Sequence, residues 1–344
     1  MNNKNDSFCI LCGNSSELIH NAYPGYQEPM MFDIYHCKFC NTSYSLPRVN
    51  DTKELYNNIY YKGSKIPGYG RYFGYLRTII NVENPLDYLA NTEESYWGVR
   101  KALEQIFKDS ESLKILEVGS GLGYLTYALN KAGYDASGLD ISEIAVQQAI
   151  NNFGNYYISG DLFEFAEKKP NFFDVVILTE VIEHVNEPIP FIAALLKLVK
   201  PNGQLILTTP NKSFYPSDII WDTENPPVHT WWFSEMSIIY IAKKLNTNVN
   251  FIDFSSYYKG RYAVSDLKAL RKKPLRMPIL DNIGEVIRPN KQKKSISYLW
   301  TLRKLIAQIP FVKRFFKYFI KLTNPNIIFC KQRGYVMCAI LSKK

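Results

Sequence analysis

KILEVGSGLGYLTYALNKAGYDASGLDIS, residues 114–142, decides the fold. Lys114 to Val118 is a short apolar run of the kind that forms a strand buried on both faces, and it stops at Gly119, Gly121 and Gly123. A strand, a turn and a helix follow one another there. Glycines spaced G-x-G-x-G let the backbone turn sharply and bring its N–H groups against a ligand where any Cβ would collide. A second strand, Asp135 to Ile141, delivers Asp140 seventeen residues after Gly123, about the spacing at which a carboxylate meets ribose hydroxyls. The pattern is not the G-x-G-x-x-G of dinucleotide dehydrogenases, and Glu117 ahead of the turn suits a ligand with a cationic or hydroxyl-rich end.

Beyond Asp140 the alternation continues: a helix from Glu143, a strand Asn155–Asp161, a helix, a strand Phe173–Thr179, a helix Ile189–Val199 and a strand Gln204–Thr209. Asn248–Ser255 and Tyr335–Leu341 read as an adjacent antiparallel pair. The pattern predicts an α/β, doubly wound Rossmann-like sheet of six parallel strands plus one antiparallel, built from residues 111–257 with 335–344. Ligands of such sheets gather at the carboxyl ends of the strands.

E-V-G-S-G-L-G together with the acid at Asp140 resembles the first two motifs of class I S-adenosylmethionine-dependent methyltransferases. The resemblance implies S-adenosylmethionine as cofactor, held by Glu117, Gly119, Gly121, Gly123, Asp140, Ile141, Asp161, Leu162 and Thr179, with Asp161 on the adenine amino group. Asp161 reads equally as the N-cap of the next helix, and the two roles are compatible.

The fourth strand ends in T-E-V-I-E-H-V, Thr179 to Val185, and a further histidine, His229, follows in PPVHTWWFS. Glu180, Glu183, His184 and His229 offer two carboxylates and two imidazoles, a donor set for a divalent cation such as Mg or Mn. The string is similar to the E-x-x-E-H of small-RNA 2′-O-methyltransferases, which implies magnesium at the reacting hydroxyl, and to the E-V-x-E-H of ubiquinone-pathway O-methyltransferases. Without a metal, His184 or His229 serves as a base, and a Glu–His pair capping the turn is the plain alternative. The catalytic candidates are His184, His229 and Glu180. Trp231, Trp232 and Phe233 wall an acceptor pocket or simply fill core.

Ahead of this domain, Cys9-x-x-Cys12 and Cys37-x-x-Cys40 stand 24 residues apart. In a chain with no secretion signal in MNNKNDSF and no eighteen-residue apolar run, thiols stay reduced, so the pairs read as ligands of a tetrahedral, structural zinc in a ribbon over residues 1–50. His20 and His36 are possible substitutes, His36 more a bystander beside Cys37. Residues 51–110 form a tyrosine-rich helical lid or linker, with helices around Asp51–Tyr60, Tyr72–Val82 and Asn91–Phe107; its tyrosines bond a substrate or merely pack. A two-knuckle ribbon, then LYNNIYYKG, then the glycine turn resembles sugar and surface-polysaccharide methyltransferases with an N-terminal zinc-binding region.

The formal net charge is +9, and it is uneven. Between Lys259 and Arg333 there are 19 Lys/Arg against 3 Asp/Glu, a balance of +16 that leaves the remainder at −7. A basic helical insertion over residues 258–334 is expected, with helices Ile296–Gln308 and Phe311–Leu322. Residues 291–322 suit contact with an anionic membrane surface, against a solvated cap and, less favoured, a nucleic-acid track. The expected location is cytoplasmic, with peripheral contact at the inner face of the membrane. The sequence points to O-methylation of a sugar hydroxyl in a nucleotide sugar or surface glycan. The alternatives are a metal-assisted methyltransferase of an RNA 2′-OH or of a lipid or quinone hydroxyl, and an inactive methyltransferase-fold adaptor.

Overall fold

Four antiparallel strands open the chain, β1 (Asp6–Phe8), β2 (Ser15–Pro24), β3 (Met31–Cys37) and β4 (Thr42–Leu46), and four helices follow, α1 (Lys53–Lys62), α2 (Gly70–Thr78), α3 (Pro85–Thr92) and α4 (Glu94–Ile106). The alternating part comprises β5 (Lys114–Val118), α5 (Tyr124–Lys131), β6 (Asp135–Asp140), α6 (Glu143–Phe153), β7 (Tyr157–Ser159), α7 (Leu162–Lys168), β8 (Phe173–Thr179), α8 (Pro188–Leu198) and β9 (Val199–Pro210). Then come β10 (Trp231–Trp232), α9 (Glu235–Lys244), β11 (Thr247–Phe251), α10 (Ser255–Tyr258) and β12 (Val336–Lys343). The computed structural model describes residues 6–66, 69–106, 113–214, 225–258, 277–287 and 334–344.

The seven-stranded sheet runs β11-β12-β9-β8-β5-β6-β7, with β12 antiparallel to both neighbours and the others parallel. This is a Rossmann-like methyltransferase fold, as the alternation predicts. Its strands are apolar on both faces because helices cover both. Leu116, Val118, Val176, Leu178, Leu205 and Leu207 join one core, while Ile115, Val175, Ile177 and Ile206 join the other. The two-residue period thus feeds α8 and α9 on one side and α3 to α6 on the other.

Several boundaries differ from expectation, β9 among them, which begins at Val199 ahead of the expected Gln204. The helix expected over Asn91–Phe107 is α4 and begins at Glu94, because a separate helix, α3, started by Pro85 at its first turn, ends at Thr92 and Glu93 has extended backbone (φ −135, ψ 148). The strand expected at Asn155–Asp161 is only Tyr157–Ser159, since Asp161 has turned outward to cap α7. The strand expected at Asn248–Ser255 ends at Phe251.

A larger difference concerns the ribbon, which does not close on itself. Its sheet has five strands in the order β1-β2-β3-β4-β10, and the fifth, Trp231–Trp232, comes from far along the chain, pairing Trp231 with Tyr44 and Trp232 with Ser43. Cys9, Leu11, Cys37, Cys40 and Tyr44 share one core with the α/β sheet, and ribbon and sheet belong to one compact unit. The two helices expected within residues 296–322 lie outside the described residues. No described helix is long and apolar enough to cross a membrane.

Candidate functional site

Gly119, Gly121 and Gly123 all have left-handed backbone, at φ 73, 51 and 85, but for different reasons. A Cβ on Gly119 would lie 2.5 Å from Val181 Cγ2, and one on Gly123 would lie 2.6 Å from Ala149 Cβ and 2.7 Å from the Tyr157 ring. Those two glycines permit close packing of the turn. A Cβ on Gly121 meets only the Tyr60 hydroxyl, at 4.0 Å, so this glycine faces the crevice.

Four of the turn's N–H groups, those of Gly119, Ser120, Gly121 and Gly123, bond within the chain and not toward a ligand. Gly119 N and Ser120 N donate to Leu139 O at 2.8 and 3.2 Å, and Gly123 N donates to Ser120 O at 2.9 Å. Gly121 N donates to Asp140 Oδ2 at 2.7 Å, and Ser142 N donates to Oδ1 at 2.8 Å. Asp140 therefore braces the turn while its carboxylate keeps lone pairs toward the crevice. Burial raises its pKa. Glu117 is buried beneath, accepting a 2.5 Å bond from Thr126 Oγ1, and burial pushes it up to about 8.

The remaining residues expected at the cofactor divide. Ile141 is 77% exposed beside Asp140, an apolar face open to a ring, whereas Leu162 is buried. Asp161 Oδ1 accepts from Phe163 N at 2.8 Å and Glu164 N at 3.1 Å, the N-cap arrangement. Thr179 Oγ1 is buried without a partner at the end of β8.

At the acceptor end, Glu180 takes left-handed backbone (φ 53) and the chain tightens into a single helical turn over Ile182–His184. Of the four groups expected to share a cation, three come together: ligand atoms of Glu183, His184 and His229 lie within 4.8 Å of one another. Glu180 is not in that group; its Oε1 is buried without a partner. Glu183 Oε2 accepts from Thr209 Oγ1 at 2.9 Å, while Oε1 has no hydrogen-bond partner and lies 4.0 Å from His184 Nε2. The His184 and His229 rings stand edge to face, centroids 4.6 Å apart.

His184 Nδ1 is 2.7 Å from Val228 O, and a carbonyl only accepts, so the proton sits on Nδ1. Nε2 then presents its lone pair to the Glu183 side. Burial holds this imidazole down at about 4, neutral and weakly basic, while burial pushes Glu183 up to about 7. Glu180 is raised well above the carboxylate range by burial and then by the charge of Glu183. None of Glu117, Asp140, Glu180 and Glu183 pairs with a lysine or arginine among the described residues.

The helical segment resolves into packing and site. Tyr72, Tyr75, Tyr88 and Tyr124 form an edge-to-face series, with Tyr75 OH donating to Glu93 Oε1 at 2.6 Å and Tyr96 OH to Tyr124 OH at 2.9 Å. Two tyrosines of α1 reach the crevice instead. Tyr56 OH lies 3.3 Å from His184 Nδ1, and Tyr60 lies against Gly121, its pKa raised by burial and by Asp140. Trp231, Trp232 and Phe233 are buried core, not a pocket wall. Thr126, Thr209 and the Val228 carbonyl were not anticipated. Thr209 carried a signal, ending the fifth strand as Thr179 ends the fourth.

In the ribbon, sulfur atoms of Cys9, Cys12, Cys37 and Cys40 all lie within 4.8 Å of one another, with Cys9–Cys40 at 3.7 Å and Cys12–Cys37 at 3.6 Å. A tetrahedral ion with Zn–S of about 2.3 Å sets its sulfurs about 3.8 Å apart, so the set fits zinc. His36 stands aside, its Nδ1 3.0 Å from Ser43 Oγ.

Residues 93–250 match the family model described as "Methyltransferase domain". The chain is 38% identical over 105 residues to the ubiquinone biosynthesis O-methyltransferase of Methylococcus capsulatus, covering 29% of this chain and 44% of that protein. The mitochondrial protein of that name from Schizosaccharomyces pombe is 36% identical over 104 residues, 28% of this chain and 37% of that protein. The chain thus spans less than half the length of these relatives. Among solved structures, a SAM-dependent methyltransferase from Archaeoglobus fulgidus is 17% identical, covering 71% of this chain and 93% of that chain at a TM-score of 0.44.

Proposed function

We propose, from the methyltransferase domain matched over residues 93–250, that the chain is an S-adenosylmethionine-dependent enzyme that methylates a hydroxyl. The observation that carries this reading is the crevice itself. Four N–H groups of its glycine turn bond internally, and its rim holds the buried acids Glu117, Asp140 and Glu183 and the half-buried Glu180, none with a lysine or arginine partner among the described residues. Such a site offers phosphate no cation, whereas a ligand with positive charge and ribose hydroxyls draws its acids toward the ionised form. S-adenosylmethionine supplies a methyl carbon on a cationic sulfur. Asp140 offers acceptors to the ribose, Ile141 an apolar face to the base, and Glu117 and Glu180 carboxyl groups that a cationic end would draw into the ionised form.

The acceptor end favours oxygen. His184 at about 4 is too weak a base to take a proton from a hydroxyl unaided. A divalent cation held by Glu183, His184 and His229 would lower the pKa of a hydroxyl beside it. Val228 O keeps Nε2 of His184 aimed inward, and Thr209 orients Glu183. A phenolic hydroxyl, with an ordinary pKa of about 10, is within reach of such a site, whereas an alkyl hydroxyl lies several units higher. The relatives named for O-methylation in ubiquinone biosynthesis support the same class. The acceptor we favour is therefore a ring hydroxyl of phenol or quinol type, in place of the sugar expected from the ribbon.

The test is transfer of labelled methyl groups by the full chain to dihydroxybenzenes and to nucleotide sugars. Label is expected on the phenolic oxygen, reduced about ten- to hundredfold in Glu183→Gln with cofactor affinity unchanged. Label on the sugars alone would overturn the ring acceptor. No calorimetric binding of S-adenosylmethionine would overturn the enzyme reading and leave an adaptor.

A further inference from the structure

The four-cysteine cluster and the acceptor end are joined by one buried segment, residues 225–233. At its start, Asn225 Nδ2 donates to Pro24 O at 2.9 Å, and Tyr26 N donates to Pro226 O at 2.7 Å, both on the ribbon side. Val228 then gives its carbonyl to His184, and His229 enters the acceptor cluster. Thr230 faces both ways: its N–H donates to Glu183 O at 2.9 Å, and its carbonyl accepts from Ser45 N at 3.1 Å. Trp231 Nε1 donates to Val185 O at 2.8 Å while its backbone pairs with Tyr44 in β4, and the Arg48 guanidinium lies 4.1 Å from its ring centroid.

The far end of this strap is fastened to the cysteines. Cys40 O accepts from Ser234 Oγ and Ser237 Oγ, each at 3.2 Å, and these two serines form the capping box of α9. Thr42 Oγ1 and Ser237 Oγ are 2.5 Å apart. Every residue from Asn225 to Ser234 is buried, so the strap has no slack against solvent. By contrast, the glycine turn and Asp140 take their hydrogen bonds within residues 114–142 and from β7 and its flank, Tyr157 OH to Gly123 O and Gly160 N to Asp140 O, none of them from the ribbon or the strap.

We infer that the ion bound by Cys9, Cys12, Cys37 and Cys40 is the outer anchor of the acceptor end. The loaded ribbon, through residues 225–233, holds His229 in place and the Val228 carbonyl on His184. Val228, Thr230 and Trp231 are positioning residues, acting through His184, His229 and Glu183. Without their ion the four sulfurs take up protons and lose the bonds that tie the two knuckles together, because a structural zinc site contributes folding free energy directly. The acceptor end then loosens while the cofactor turn stays formed. Methyl transfer becomes zinc-dependent with no zinc at the reacting atoms.

The inference takes from the proposed function only that Glu183, His184 and His229 work on the acceptor, and its test reads amide protection, not transfer. Hydrogen exchange is compared for the full chain loaded with zinc and stripped by chelator, magnesium being omitted throughout. Amides in 180–186 and 225–233 should exchange about tenfold or more faster after stripping, and those in 114–142 within about twofold. Unchanged exchange in the first two segments overturns the inference. So does equal loss in all three, which would make the ribbon a support of the whole fold. In Ser237→Ala, which keeps all four cysteines, zinc content should hold while exchange in 225–233 rises several-fold; no rise there also overturns it. S-adenosylmethionine calorimetry separates the two readings, since absent binding defeats the proposed function and leaves the exchange result standing.

Discussion

The two ends of the crevice are built in opposite ways. The cofactor end comes from one continuous stretch, residues 114–142, and its carboxylates, Asp140 and Glu117, have their partners inside that stretch. The acceptor end is assembled from β8, β9, α1 and the segment at Val228–His229, and it leaves Thr179 Oγ1, Glu180 Oε1, Glu183 Oε1 and Thr208 Oγ1 buried without partners. Each such atom costs about 1–3 kcal/mol until something satisfies it, and left-handed Glu180 adds about 1–2 kcal/mol more. One end is a seat nearly finished in advance of its ligand, with Ser120 Oγ the single buried polar side-chain atom of residues 114–142 without a partner. The other stores unsatisfied polarity that a ligand relieves, which is where specificity for an acceptor belongs.

The sharpest way to break this contrast is to damage the finished end at two neighbouring glycines. Gly121→Val puts a β-branched residue at φ 51 and fills the crevice side, so cofactor affinity by calorimetry should fall at least about 100-fold while the chain still folds. Gly123→Ala drives a methyl group to within 2.6 Å of Ala149 Cβ, so it should cost about 1–3 kcal/mol in urea unfolding. Equal losses of stability in both variants would show that Gly121 packs like its neighbour and faces no ligand.

A second test uses protons. Glu117 titrates at about 8 in the folded chain but near 4.3 when unfolded, so between those values the unfolded chain carries fewer protons. Stability conferred by the protonated form is complete below pH 4.3 and lost as pH rises toward 8, and Tm should fall by several degrees across that window. Cofactor affinity moves the other way, because a cationic ligand needs the carboxylate: about fivefold tighter at pH 8 than at pH 7. Glu117→Gln should flatten the affinity profile. If it leaves the slope unchanged, the titrating group lies at the acceptor end, where Glu183 stands at about 7.

The same contrast explains what could be read in advance. β5, the glycine turn, β6 and Asp140 are local, and a two-residue apolar period fixes both faces of each strand, so the fold was legible from the pattern alone. The partners of the turn's N–H groups were not, because a G-x-G-x-G string is silent on whether its donors face a ligand or Leu139. At the acceptor end, T-E-V-I-E-H-V announced donors without saying which converge: left-handed backbone at Glu180 separates it from Glu183 and His184. The pairing of Trp231–Trp232 with β4 joins residues nearly 190 positions apart, and neither aromatic run carries a mark of its partner. Non-local pairing of this kind is set by packing, not by local preference.

The smallest expected effect asks whether α1 reads the two ends separately. Tyr56 and Tyr60 stand one turn apart on that helix, one beside His184 and the other beside Gly121 and Asp140. Leu55 and Ile59 anchor the helix against Tyr26, Val228 and Leu280, so its two phenols are held in register with both sites. A single neutral hydrogen bond is worth about 0.5–1.5 kcal/mol, so Tyr60→Phe should weaken cofactor binding about two- to tenfold and leave kcat alone. Tyr56→Phe should lower kcat by a similar factor with cofactor affinity unchanged. A split of that kind means that α1 touches two independent ends. If both variants shift the same parameter, α1 instead closes as one lid over a single site, and the division between a finished seat and an unfinished one fails at this helix.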